Sequence, residues 1–424
     1  MTAALFISFF LLALINVPIA ISLMAATAIP LISFTDLPIT VVVQRYFYSM
    51  NSFSLMSIPF FVLAGGFLSE GGVSRRLVAL AKSLVGWMPG GLAVVCFVAS
   101  AFFGAISGSA TATVVAIGAI MVPALLDAGY DLKFSLATVA SAGYLGIIIP
   151  PSIPMVTYGL ATGVSVGELF MCGFIPGFIL VIFMSVYAVY YGKKHIPERQ
   201  KFSGKVFLYA LKDSVWALGM PIIILGGIYS GIFTPTESAA VACVYGIIVG
   251  LFVYRELTWR MIYDIFKKAV ISSATIMFIV AAAGAFGWLM TWANLPTLIG
   301  NWIVSISPNQ IVFLLLVNIL LLFVGVFMDT NAAILILAPI FLPVLSIYGI
   351  NELAFGIVMI VNLAIGLLTP PLGLNLYVAA GLKDVKPDVV INKHLLMYIL
   401  LSIAALMIFT YVPDIVTFLP NLLK

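Results

Sequence analysis

The stretch Gly146-Ile-Ile-Ile-Pro-Pro-Ser152 places two consecutive prolines inside a long apolar segment, and Gly366-Leu-Leu-Thr-Pro-Pro-Leu372 repeats this pattern later in the chain. A proline pair removes two amide donors and clashes with the preceding helical turn. Each stretch therefore predicts a helix that is interrupted at the prolines.

The composition around these stretches is that of a membrane protein. Of the 424 residues, 63% are hydrophobic and 8% are charged, whereas a soluble domain has roughly a quarter charged residues. The apolar intervals exceed the roughly 20 residues that cross a bilayer as a helix. They are continuous, unlike the alternating segments of an outer-membrane barrel. The sequence predicts an all-α polytopic protein in the lipid bilayer, and its scattered lysines exclude a nucleic-acid surface.

A second irregular feature is a small-residue turn within an apolar stretch, and it also occurs twice. The turns run from Gly104 to Thr113 and from Gly325 to Asn331. In hydrocarbon, the free backbone groups of a broken helix must be satisfied by protein, water or an ion. Four broken or re-entrant segments are therefore expected to converge near the membrane midplane.

One segment of each half of the chain aligns with the other without gaps. Residues 105–160 superpose on residues 325–380, and the coincident residues are mostly glycines and prolines, which dictate backbone shape. The predicted halves are residues 1–205 and 206–424. Each half is expected to contain a hairpin and a broken helix, at about 90–165 and about 310–382.

The broken segments offer oxygen ligands for a cation. Carbonyls at the end of a half-helix, completed by Ser, Thr or Asp oxygens, suit a small hard cation. The first predicted shell is Ser107, Ser109, Gly146, Ile149 and Pro151, and the second is Gly325, Asp329, Gly366 and Thr369. At most one carboxylate per shell favours sodium, with about one ion in each half. The alternative is that the serines only bond helix carbonyls.

Asp329 is the only charged residue between Lys268 and Glu352. An ionisable side chain at such depth is costly and by default marks an ion, proton or substrate path. A neutral packing aspartate is the alternative. Half-helix N-termini favour anions, so an anionic substrate is predicted against the turns that start at Ser109 and Thr330, and after the prolines at Ser152.

Three further polar features have less specific interpretations. The basic clusters at 193–213 and 255–268 are predicted on one side, the cytoplasm. Glu237 follows Thr234-Pro235 and is interpreted as a helix-capping carboxylate. The two histidines, His195 and His394, lie beside charged loops and are expected to be solvated.

With these residues in place, the chain resembles the large membrane subunit of a tripartite ATP-independent periplasmic (TRAP) transporter, within the ion-transporter group that has paired re-entrant hairpins. The stretches that carry the resemblance are Ile58-Pro-Phe-Phe-Val-Leu-Ala-Gly65, Ser107-Gly-Ser109-Ala, Ile149-Pro-Pro-Ser-Ile-Pro154, Gly231-Ile-Phe-Thr-Pro-Thr-Glu237 and Gly366-Leu-Leu-Thr-Pro-Pro-Leu-Gly373. They occur in order over essentially the whole chain.

The resemblance implies two inverted-topology repeats and a sodium-driven importer of the bacterial inner membrane. In this group a transport domain holding both hairpins moves like an elevator against a scaffold. The implied partners are a small four-helix membrane subunit, expected as a separate chain, and a soluble periplasmic substrate-binding protein. The implied sodium ligands are the two shells given above, and the implied substrate contacts are Ser109, Ser152 and Asp329. The expected substrate is an organic acid, a C4-dicarboxylate first, with sialic acid or another sugar or keto acid as the alternative.

Two other classes of function remain to be weighed. A membrane enzyme needs a paired catalytic set, and the sequence has neither an HExxH nor an Asp-rich diphosphate motif. A passive anion channel can also be built from carbonyl-lined breaks. Breaks in both halves of one chain favour alternating access over a channel.

Overall fold

The computed structural model describes residues 1–15, 17–196, 201–307 and 309–423, and over these residues it contains helices and no β-strand. The helices are α1 (Thr2–Leu14), α2 (Ile19–Phe34), α3 (Thr40–Met50), α4 (Ser57–Glu70), α5 (Val73–Val85), α6 (Gly91–Ser107), α7 (Ala110–Asp127), α8 (Leu132–Gly143), α9 (Ile153–Thr162), α10 (Val166–His195), α11 (Gly204–Tyr229), α12 (Pro235–Ile248), α13 (Trp259–Trp292), α14 (Leu295–Ile306), α15 (Gln310–Phe327), α16 (Thr330–Tyr348), α17 (Glu352–Gly366), α18 (Leu374–Gly381), α19 (Lys393–Tyr411) and α20 (Pro413–Leu423). Within the described ranges, nine helical segments are long and apolar enough to cross a membrane. The predicted all-α polytopic class is confirmed.

Both proline pairs interrupt the helical path, as predicted. After α8 a short 3₁₀ turn, Tyr144–Ile147, leads into a cis Pro150–Pro151 bond, and the helix resumes as α9. After α17 the chain passes a cis Pro370–Pro371 bond and resumes as α18. The short helix α9 therefore starts in the interior of the molecule, whereas α18 starts at its surface, where Leu372 and Leu374 are 49% and 47% exposed.

Both small-residue turns also break the helix. In the first, Gly108 adopts a left-handed conformation with φ of +59°, which ends α6, and Ser109 caps α7. In the second, Asp329 caps α16 directly after α15 ends. The element order of α6–α9 recurs in α15–α18, while the relation of the two halves by an inverted repeat stays a prediction.

The two halves interlock through the helices that follow the prolines. α9 packs against α16 of the second half, and α18 packs against α7 and α8 of the first. The Thr157 hydroxyl donates to the Asn331 side-chain oxygen at 3.0 Å, and the Asn375 amide donates to the Ala140 carbonyl at 3.3 Å. Hairpins and broken helices of both halves thus form one continuous body.

A charged cluster joins the two halves at one end of the molecule. Arg76 of α5 lies 2.7 Å from a Glu256 carboxylate oxygen and 3.4 Å from an Asp213 carboxylate oxygen. Asp213 and Glu256 belong to the two basic clusters, so these clusters lie next to each other. Their location on the cytoplasmic side stays a prediction.

The remaining polar features have mixed outcomes. Glu237 caps a helix as expected, because its carboxylate accepts from Thr234 while the Thr234 hydroxyl accepts from the Glu237 amide. The prediction that both histidines are solvated is wrong for His394. It is 6% exposed because Tyr187, Tyr191 and Phe134 surround its ring.

Candidate ion and substrate site

The first hairpin tip lies directly against the first broken helix. A Cβ atom placed on Gly104 would lie 2.9 Å from the Gly146 Cα, and one on Gly108 would lie 3.0 Å from the Pro151 carbonyl oxygen. The Ile153 amide donates to the Gly108 carbonyl at 3.3 Å. Only residues without side chains allow the two backbones to approach this closely.

Oxygen atoms surround Gly146 at this contact. The Thr113 hydroxyl donates to the Ser109 carbonyl at 2.8 Å and lies 3.2 Å from the Ser107 hydroxyl. A Cβ on Gly146 would lie 2.6 Å from that Ser109 carbonyl oxygen. Ser107, Ser109 and Gly146, three residues of the first predicted shell, are therefore brought together.

The other predicted residues of the first half lie in the proline break or cap a helix. Ile149 and Pro151 are buried in the proline break. The Ser152 hydroxyl donates to the Ile147 carbonyl at 2.6 Å and caps α9, and Ser152 is fully buried. The Ser109 hydroxyl caps α7 by accepting from Ala112. Both serines thus have capping roles beside any ligand role.

The second hairpin tip meets the second broken helix in the same way. A Cβ on Gly325 would lie 3.1 Å from the Gly366 Cα. The Thr369 hydroxyl donates to the Ile365 carbonyl at 3.0 Å, within its own broken segment. Asp329 accepts from the Asn331 amide at 2.9 Å and the Ala332 amide at 3.3 Å.

Accessibility distinguishes the two tips. Ser107 and the break from Ile148 to Ser152 are buried, whereas Asp329 and Pro371 are exposed on the molecular surface. The second tip is therefore open and carries the carboxylate, while the first is enclosed and lined by neutral oxygens.

Sequence reasoning missed two hydroxyls at the tips. Thr113 lies one helical turn after Ser109 in the same small-residue run, and this spacing was the available signal. The Thr330 hydroxyl follows Asp329, is buried, and has no hydrogen-bond partner among the residues described. Buried polar atoms are normally paired, so the Thr330 hydroxyl is a further candidate oxygen ligand at this tip.

Comparison with known proteins decides the family. The family model for the DctM component of the tripartite ATP-independent periplasmic transporters matches residues 6–415. The chain belongs to this family. It is a TRAP transporter large permease, a multi-pass protein of the bacterial inner membrane, and not an enzyme.

Individual relatives agree with this assignment. The TRAP permease is 39% identical to the C4-dicarboxylate TRAP transporter large permease protein DctM of Rhodobacter capsulatus, over 97% of each chain. It is 44% identical, over 97% of its length, to the isethionate TRAP transporter permease protein DctMQ of Oleidesulfovibrio alaskensis, and spans 65% of that longer protein.

A solved structure has a similar fold. The crystal structure of the Alcanivorax borkumensis YdaH transporter aligns with a TM-score of 0.64 at 16% identity, covering 95% of the permease and 99% of the YdaH chain. At this identity the likeness concerns the fold alone.

Proposed function

We propose that this permease is the sodium-coupled importer subunit that forms the transmembrane path for an organic acid anion. The observation that supports this most is the contact of a hairpin tip with a proline-broken helix in each half. Paired broken helices near the midplane are the sites where secondary transporters hold coupling ions and substrate.

The oxygen chemistry at the tips fits sodium. At the first tip, the Ser107 and Thr113 hydroxyls and the Ser109 carbonyl lie where the hairpin backbone contacts the broken helix. These groups carry no net charge. The second tip adds the Asp329 carboxylate and the unpartnered Thr330 hydroxyl. Hard monovalent cations bind such oxygens, whereas calcium prefers several carboxylates. About two sodium ions per transport cycle follow, one at each tip.

The substrate is proposed to be a small organic anion, a C4-dicarboxylate first. The permease is similar to proteins named for C4-dicarboxylates and for isethionate, and both substrates are short anions. The N-terminus of α7 at the first tip, which is capped by the neutral Ser109 hydroxyl, offers a positive dipole end for an anion. Because Asp329 would repel that anion, it contacts the substrate only through a sodium ion between them.

The interlocked body supports an elevator movement. The Thr157–Asn331 and Asn375–Ala140 hydrogen bonds tie the broken helices of one half to the helices of the other. Separate movement of one hairpin would break these buried bonds, at about 1 kcal/mol each. We infer that both hairpins and both broken helices move as one transport domain.

Two partners complete the proposal: a small four-helix membrane subunit and a soluble periplasmic binding protein that delivers the substrate. The test is uptake of labelled succinate, isethionate and sialic acid into proteoliposomes that contain the permease and the small subunit. Sodium gradient and binding protein are each included or omitted.

Accumulation that requires both the sodium gradient and the binding protein supports the proposal, and the labelled compound that accumulates identifies the substrate class. Downhill flux that depends on neither would overturn it in favour of a passive anion channel. Accumulation of sialic acid alone would keep the mechanism and replace the dicarboxylate.

A further inference from the structure

A cavity of about 690 Å³ lies at the loop ends of α8, α10 and α19, and none of its lining residues belongs to a hairpin tip or a proline break. Each of the three helices contributes one lysine to its lining: Lys133, Lys194 and Lys393. This cavity has no part in the proposed transport path, so it raises a separate question of what it binds.

The charge of the lining is positive. All three lysines are exposed, and none forms an ion pair with a carboxylate in the described ranges. The one acidic residue of the lining is Asp131, whose carboxylate already accepts from the Lys133 and Phe134 amides as the cap of α8. Three cations converging from three helices favour an anionic ligand.

The floor of the cavity is an ordered aromatic cluster. The His394 ring nitrogen Nδ1 lies 2.7 Å from the Tyr187 hydroxyl, and the His394 ring stands perpendicular to those of Phe134 and Tyr191. Phe134 and Tyr191 stack with centroids 3.7 Å apart. Because His394 is buried and hydrogen-bonded to Tyr187, it forms a rigid polar part of the cavity floor.

The surface below the lysines becomes apolar along both outer helices. On α10, Tyr190 and Val186 precede Lys194 at helical spacing, and they are 63% and 61% exposed. Residues four apart lie on one helix face, so these three side chains form a stripe that runs away from the loop end.

A second stripe runs beside the first on α19. Lys393 is followed there by Met397 and Leu400, which are 40% and 52% exposed. α10 ends and α19 begins at this cavity, and the two helices pack together. The first stripe therefore runs from a cation through the amphipathic Tyr190 to an exposed aliphatic side chain, and the second runs from a cation through the apolar Met397 to another.

We propose that this cavity binds the headgroup of an anionic phospholipid, with its acyl chains along the two stripes. The lysines pair with the phosphate, the tyrosine hydroxyls lie at the polar boundary, and the aliphatic side chains contact hydrocarbon. Basic pockets between transmembrane helices at the membrane surface bind such headgroups. Free phosphate would use the lysines and leave the apolar stripes without a role, so the stripes favour the lipid.

The test measures lipid retention by the full-length permease, purified in detergent with any subunit that accompanies it. Phosphatidylglycerol and phosphatidylcholine of identical acyl chains are offered together, and bound lipid is counted by native mass spectrometry. The variant is the triple substitution Lys133→Gln, Lys194→Gln and Lys393→Gln. The control removes the same charge from exposed lysines that do not line the cavity, by Lys205→Gln, Lys212→Gln and Lys267→Gln.

The wild type and the control are expected to prefer phosphatidylglycerol, and the cavity variant is expected to lose that preference by about tenfold or more. Equal retention of both lipids by the wild type, or an unchanged preference in the cavity variant, would overturn the proposal. Displacement of the lipid by millimolar inorganic phosphate would reassign the cavity to a free anion.

A measurement on the wild type alone covers the case in which the triple variant does not fold. A photoactivatable phosphatidylglycerol is expected to label peptides that contain Tyr190 and Met397 more strongly than the matching phosphatidylcholine probe. Equal labelling by both probes would overturn the proposal.

Discussion

At the scale of single residues, Asp329 and Asp131 show how one local structure can serve two purposes. Both aspartates cap a helix by accepting two backbone amides, at the start of α16 and of α8. Asp131 does so at a charged loop, and Asp329 at a tip between two apolar helices. The cap explains why an aspartate is tolerated at either position, but only the location of Asp329 makes its charge costly.

Asp329→Asn is expected to abolish sodium-dependent uptake while leaving the protein folded and inserted. Asparagine keeps a side-chain oxygen for the cap and removes only the charge. Asp131→Asn makes the same change at the same kind of cap and is expected to leave uptake intact. The measurement is proteoliposome uptake against sodium concentration, and unchanged sodium dependence in Asp329→Asn would remove this residue from the site.

Thr113→Val and Ser107→Ala test the neutral oxygens of the first tip. Each substitution removes one hydroxyl, and we expect the sodium concentration for half-maximal uptake to rise at least about fivefold, which corresponds to a loss of about 1 kcal/mol. Thr275→Val is the control, since the Thr275 hydroxyl only donates to the Ile271 carbonyl on an exposed helix face. If the sodium concentration for half-maximal uptake did not change, both hydroxyls would have only a packing role.

At the scale of elements, glycine contacts decide how each hairpin meets its broken helix. Gly104 approaches Gly146 in the first half, and Gly325 approaches Gly366 in the second. These contacts bring tip oxygens against the freed backbone of the break, so the site depends on the absence of side chains.

Gly146→Ala and Gly366→Ala are expected to destabilise the protein by about 1–3 kcal/mol, as overpacked substitutions do, and to abolish uptake. The new methyl group would meet the Ser109 carbonyl and the Thr113 hydroxyl in the first half, and the Gly325 backbone in the second. Gly287→Ala is the control in α13, where a Cβ meets nothing within 4 Å. There alanine should be neutral or stabilise by up to about 1 kcal/mol. The measurement is thermal unfolding in detergent, with uptake measured in parallel. If all three variants had the same stability and uptake, this explanation would be contradicted.

At the scale of the whole molecule, Arg76 joins α5 of the first half to α11 and to the segment between α12 and α13 of the second. Its guanidinium bonds Glu256, lies beside Asp213 and stacks 3.6 Å from the centre of the Tyr254 ring. The Arg76 side chain is 16% exposed, whereas that of Arg75, which also pairs with Glu256, is 72% exposed.

Arg76→Gln is therefore expected to lower stability by about 1–3 kcal/mol, because it removes the mostly buried guanidinium that bonds Glu256, lies beside Asp213 and packs on the Tyr254 ring. Arg75→Gln removes an exposed pair and should cost less than about 1 kcal/mol. The two thermal unfolding midpoints in one detergent check this, and equal shifts would show that burial of the guanidinium does not matter.

The sequence by itself determined the membrane class, the two proline breaks and the two small-residue turns. These follow from composition and from glycine and proline, whose effects on the backbone are local. It also predicted the grouping of Ser107, Ser109 and Gly146, because a freed carbonyl needs a hydrogen-bond donor or a cation nearby, and serine hydroxyls can donate or help to bind the cation. Asp329 was identified for a similar reason, since a charge within an apolar stretch is visible without any structure.

Only the tertiary structure decided which helices of the two halves meet. Three contacts join residues more than a hundred positions apart: Thr157 with Asn331, Arg76 with Glu256, and Tyr187 with the buried His394. No local preference encodes such contacts, because they depend on the packing of whole helices against one another. The same packing places Lys133, Lys194 and Lys393 around one cavity, although nothing in the sequence distinguishes them from other lysines near loops.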